Sequence, residues 1–112
     1  MRKAVRVGDV GTILECEVLE CGDGLDCTLP ENWTPADISD ATLLEMVLRK
    51  PDKTTVTKTG ALSTDGTDGL MRYVVEADVL DDDGTWQMQG RVTTPSGVWS
   101  TSISSFAVYP NL

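Results

Sequence analysis

Asp81-Asp82-Asp83-Gly84 runs into Thr85-Trp86-Gln87-Met88-Gln89-Gly90-Arg91-Val92, then Thr94-Pro95-Ser96-Gly97, then Val98 to Tyr109, a succession that reads turn, strand, turn, strand. Between Trp86 and Val92 the large apolar side chains fall on even positions and the polar ones on odd. That is the period of a strand with one buried and one wet face. Trp86 shares the parity of Met88 and Val92 and is assigned to the core. In the final strand the apolar parity changes, from Trp99, Thr101 and Ile103 to Phe106 and Val108. The change predicts a bulge or bend near Ser104-Ser105.

The same reading extends towards the N-terminus. Thr12 to Leu19 alternates, with Leu14, Cys16 and Val18 on one side and Glu15 and Glu17 on the other, as a half-buried strand does. From Glu20 to Ser39 the composition shifts to Gly, Asp, Pro and Asn, which predicts a long loop holding Trp33. Asp40 to Lys50 fits a helical face through Leu43, Leu44, Val47 and Leu48, and a strand through Thr42, Leu44, Met46 and Leu48. The turn Pro51-Asp52-Lys53 and the β-branched run Thr54 to Lys58 favour a hairpin, and so a strand. Thr64 to Gly69 is a second loop, and Leu70 to Ala77 a strand with Tyr73 and Val75 on one face. The count is about seven short antiparallel strands with turn signals between them. It predicts an all-β, immunoglobulin-like β-sandwich forming a single domain over residues 1–112, with a long loop at about 20–39.

A chain of 112 residues that is 40% hydrophobic suffices for one core. The net charge of −9 and the absence of His argue against a nucleic-acid partner, because neutralising phosphates takes clustered Lys and Arg. The nine basic residues form no polybasic stretch for an anionic membrane, and no apolar run approaches spanning length. The charged start Met1-Arg2-Lys3 is not followed by an apolar segment, so no secretory signal is expected. In a reducing compartment Cys16, Cys21 and Cys27 are read as free thiols, with a Cys21–Cys27 bridge as the open alternative.

The marks Val7-Gly8-Asp9-Val10-Gly11-Thr12-Ile13, Lys50-Pro51-Asp52, Gly69 leading Tyr73, Gly84-Thr85-Trp86 to Val92, Gly97-Val98-Trp99-Ser100 and Phe106-Ala107-Val108 occur in a specific order. Together they resemble the immunoglobulin-like N-terminal domain of bacteriophage baseplate upper proteins and related tail and virion proteins. The resemblance implies a non-enzymatic virion structural protein, a tail, baseplate or fibre-attachment component assembled in the host cytoplasm. It would act by oligomeric packing, with other virion proteins and further copies of itself as partners and without nucleic acid, membrane or cofactor. In baseplate upper proteins receptor-binding segments follow the module, whereas this sequence stops at Leu112, so a connector, decoration or fibre-base role is expected. The alternative is a capsid decoration or a carbohydrate- or cell-surface-binding module of the same fold.

Candidate sites are few. Asp81, Asp82 and Asp83, joined by Asp65 and Asp68, offer carboxylates to a hard cation, but the further ligand spacings of a calcium loop are missing and a solvated turn is preferred. Cysteines five and six positions apart with no fourth ligand do not make a zinc site. Without His or a Gly-x-Ser-x-Gly elbow no nucleophile has its usual base, and Glu15 and Glu17 face outward from one strand rather than across a sugar. No catalytic, metal or cofactor residue is therefore assigned. Trp33, held between Pro30 and Pro35, is a candidate interface anchor or else a lid over the end of the sandwich, and Trp99 is a second interface candidate.

Overall fold

A computed structural model describes residues 5–111; the charged start Met1-Arg2-Lys3 lies outside them. Ten strands follow one another: β1 (Ile13–Glu17), β2 (Leu19–Cys21), β3 (Trp33–Pro35), β4 (Leu43–Arg49), β5 (Thr55–Thr59), β6 (Ala61–Leu62), β7 (Leu70–Val74), β8 (Gly84–Thr94), β9 (Gly97–Ser100) and β10 (Ser104–Val108). The only helical piece among the described residues is a 3-10 turn at Pro30–Asn32.

The strands make an all-β sandwich. One sheet has the order β1-β7-β6, the other β10-β8-β4-β5, and every pairing within them is antiparallel. β9 pairs the C-terminal half of β8 on the edge that β10 occupies further along, since β4 fills the opposite edge. With β9 and β10 sharing one edge, the two sheets offer seven strand positions. β2 and β3 form a separate two-stranded ribbon.

The alternation decides which side chains meet. Leu14 and Cys16 of β1 and Met71 and Tyr73 of β7 face Met46 and Leu48 of β4 and Trp86 and Val92 of β8 in one cluster of buried residues. The Cys16 Sγ lies 3.7 Å from the Met46 Sδ, joining the layers at the centre. Trp86 is 0% exposed, stacks on Phe106 at 6.2 Å between ring centroids, and donates its Nε1–H to the Asp82 carbonyl. On β4 Met46 and Leu48 are both 0% exposed, the parity of the strand reading, and burying each contributes on the order of 1.5–3 kcal/mol. The hairpin turn is closed by Lys53, whose N–H reaches the Lys50 carbonyl at 2.9 Å.

The edge of β8 carries the predicted irregularity, slightly displaced. Arg91 lies opposite Ser100 and Met88 opposite Ser104, so Gln89 and Gly90 face the three residues Thr101 to Ile103. This is a bulge, and it falls just before the expected Ser104-Ser105 because Thr101 is the residue that turns inward. Thr101 is 7% exposed; its Oγ1 accepts the Gly90 N–H at 2.9 Å and donates to the Ser102 carbonyl.

Within the expected loop from Glu20 to Ser39, β2, β3 and the 3-10 turn build a short two-stranded ribbon. Main-chain pairing of Leu19 with Pro35 and of Cys21 with Trp33 consumes backbone groups that a loop would leave to water.

Candidate functional site

The ribbon grows from the end of β1. Val18 donates its N–H to the Gly69 carbonyl, and its own carbonyl accepts the Ala36 N–H, so three segments converge on one residue. Gly69 fits that junction because its φ is +74° and a Cβ there would stand 2.6 Å from the Val18 oxygen.

The free-thiol reading is corrected for two of the three cysteines. Cys21 and Cys27 form a disulfide with 5.8 Å between their Cα atoms, and Cys16 alone is free and buried. The bridge closes the Gly22-Asp23-Gly24 turn, whose two glycines bring positions six apart within reach. Burial, ahead of all other influences, pushes the Cys16 thiol above its ordinary value. Inside the bridged loop the Asp26 carboxylate accepts both the backbone N–H and the hydroxyl of Thr28, which holds it below the usual carboxylate range. Asn32 Nδ2 donates to the Asp26 carbonyl at 2.8 Å and Trp33 Nε1 to the Cys27 carbonyl at 2.9 Å. Trp33 is thus tied back by its nitrogen yet remains 40% exposed.

A cleft of about 490 Å³ opens between this ribbon and the bulge of the second sheet, lined by Glu17, Leu19, Thr28, Pro30, Trp33 and Ser100 to Ser102. It combines an indole and two aliphatic side chains with hydroxyls and one carboxylate. Glu17 is the single ionisable side chain in that lining, with no imidazole or second carboxylate beside it. Its lining pairs apolar contact area with hydrogen-bonding groups.

Trp99 directly precedes Ser100 of the cleft wall. Its position opposite Val92 places it on the inner face of β9, but it is 45% exposed, with its ring folded over Gly97. The cause lies in the stacking of the sheets: β1 packs over β8 and β7 over β4, so among the described residues the first sheet has no strand to lay over β9.

Of the five aspartates in the acidic turns, Asp81, Asp65 and Asp68 are engaged by hydrogen bonds. Asp81 accepts from Lys50 Nζ at 2.8 Å, a contact that raises the Lys50 ammonium above its ordinary value. Asp68 accepts from Thr64 Oγ1 and from the Leu70 N–H, and Asp65 from Thr67. Among the described residues no three His, Cys, Asp or Glu side chains are grouped to hold a metal ion. Glu15 accepts from Ser63 Oγ and stands opposite Arg72 on the outer face of the first sheet. Among the described residues no helix is long and apolar enough to cross a membrane.

No family model, curated protein or solved structure matches the chain.

Proposed function

We propose that this chain is a non-enzymatic, immunoglobulin-like structural module of a phage particle, a tail, baseplate or fibre-attachment component that works by packing against virion proteins and copies of itself. Strand order supports the fold half of the reading. Numbering β1, β4, β5, β6, β7, β8 and the β9–β10 edge one to seven, the sheets group as 1-5-4 against 7-6-2-3, the grouping of the second and later strands of an immunoglobulin-type sandwich with one added strand. The observation that carries the functional half is a pair of half-exposed tryptophans, Trp33 in the lining of the cleft and Trp99 directly before its Ser100 wall in sequence. Large rigid aromatics of this kind anchor protein contacts. Closed symmetry then makes each modest contact count many times.

Replacing Trp33 with Ala is expected to reduce incorporation into particles severalfold while the urea midpoint of the isolated chain stays close to that of the parent. Equal incorporation of parent and variant overturns the assembly role. A second reading, a carbohydrate- or cell-surface-binding module, draws on the Trp33 ring beside the hydroxyls of Thr28, Ser100 and Ser102. Glycan-array binding by the isolated chain, lost on the same substitution, decides for it.

A further inference from the structure

We infer that the free edge of β1 accepts an extended segment of a neighbouring polypeptide whose side chains alternate basic and apolar, completing the first sheet over Trp99 and the Trp33 cleft. This rests on the assembly reading above and specifies the surface it uses.

The backbone gives the direction. Val75 donates its N–H to the Thr12 carbonyl and Val18 donates to the Gly69 carbonyl, both at 2.8 Å, so the even-numbered residues between them direct their main-chain groups to β7. Ile13, Glu15 and Glu17 therefore point theirs the other way, where no strand pairs with them among the described residues. Four strand edges border the sandwich, and three are blunted. β6 has two residues. β5 turns Lys58 to the inner side opposite Met46, a charge that opposes strand addition. The β9–β10 edge is broken by the bulge, and its far end is engaged by the N-terminal segment, where Val7 N–H reaches the Tyr109 carbonyl at 3.0 Å. β1 alone is five residues long with no proline, no bulge and no inward charge.

Chemistry selects the occupant. A strand laid beside β1 sends alternate side chains inward, over the inner face of β9 where Trp99 stands uncovered, and these must be apolar. Its other side chains fall beside Glu15 and Glu17 on the outer face, and opposite charges are favoured across strands. Glu17 has no ion-pair partner among the described residues, and the whole chain carries −9. The same carboxylates repel the β1 edge of another copy, so the segment is basic.

The test uses hydrogen exchange of the intact chain with an acetylated peptide of about eight residues alternating Lys and Val, against a Glu-Val peptide of the same length. The Lys-Val peptide is expected to slow exchange at Ile13, Glu15 and Glu17 by about tenfold or more, and the Glu-Val peptide to leave it unchanged. The double variant Glu15→Lys with Glu17→Lys is expected to reverse that preference. In Glu15→Pro the β7 ladder is kept because the lost N–H points to the free edge, and binding of either peptide is expected to disappear. Unchanged exchange at the three amides, or protection at Thr55 to Thr59 instead, overturns the inference. Assembled particles in which these amides still exchange rapidly overturn it too, while leaving the assembly reading in place. That reading falls separately, by normal incorporation of the Trp33→Ala variant.

Discussion

Thr101 controls where the last edge of the sandwich breaks step. Its hydroxyl takes the Gly90 N–H and passes a hydrogen bond to the Ser102 carbonyl, while its own N–H donates to the Gly90 oxygen at 2.9 Å. Valine has the same shape without the acceptor, so Thr101→Val strands the buried Gly90 N–H and is expected to cost about 1–3 kcal/mol. Urea unfolding with an unchanged slope reads this out, and Thr101→Ser, which keeps the hydroxyl, is expected to lose less. A valine variant as stable as the parent would show that the bulge does not depend on this bond. The irregularity itself was legible, because Trp99 and Ile103 differ in parity from Phe106 and Val108. Its position was not, since Ile103 continues the parity of Trp99 and Thr101 in the sequence yet is 62% exposed, so the break in step falls before it. Cys16 shows the opposite case. Its parity with Leu14 and Val18 marked it as core, and the structure buries it against Met46.

At the level of elements, the β2–β3 ribbon was the part least visible from sequence. Its strands have three residues each, and Gly, Asp and Pro around them carry turn chemistry without periodicity. Two ties convert that stretch into a defined shape: the Cys21–Cys27 bridge, and the Trp33 indole bonded to the Cys27 carbonyl. The spacing of the two cysteines about Gly22-Asp23-Gly24 is the available signal, and it leaves the bridge as an alternative to free thiols. Replacing both cysteines with Ser removes a constraint worth about 2 kcal/mol for so short a closed loop in the chain-entropy account. The loss is expected to fall locally, because the core strands share no residue with the loop. Amides of Thr34 and Trp33 are expected to exchange faster in the double variant while those of Leu14 and Trp86 change little. Uniformly faster exchange through the core would mean that the ribbon is part of the cooperative unit. In contrast, β4 and β5 were readable, because the Pro51-Asp52-Lys53 turn removed the ambiguity that Leu43 to Leu48 left. The cleft was only half readable. Trp33 stood out in the sequence, but Ser100 to Ser102 meet it solely because the sheets stack without a strand over β9.

For the whole molecule, charge sets the response to acid. Four Asp-x-Ser/Thr turns recur, at Asp26, Asp37, Asp52 and Asp65, each carboxylate accepting the hydroxyl and the backbone N–H two residues on. In all four these bonds, the hydroxyl first, hold the carboxyl below its ordinary range. Above the unfolded value, about 3.9 for Asp, both folded and unfolded chains are ionised and the full stabilisation is present. As pH falls through that value the unfolded chain takes up protons first, so stability declines until the folded carboxyls are protonated in turn. An opposing effect acts at higher pH. The net charge of −9 repels itself at neutrality, and the repulsion fades towards the isoelectric point near 4.2. Stability is therefore expected to hold or rise slightly from pH 7 to about 4 and to drop below it. Changing all four aspartates to Asn keeps an acceptor oxygen in each turn but removes the titration, so the decline below about pH 4 is expected to flatten. Urea midpoints of parent and quadruple variant across that range decide the matter. Parallel declines would assign the acid response to the remaining carboxylates, with the four turns contributing only through neutral hydrogen bonds.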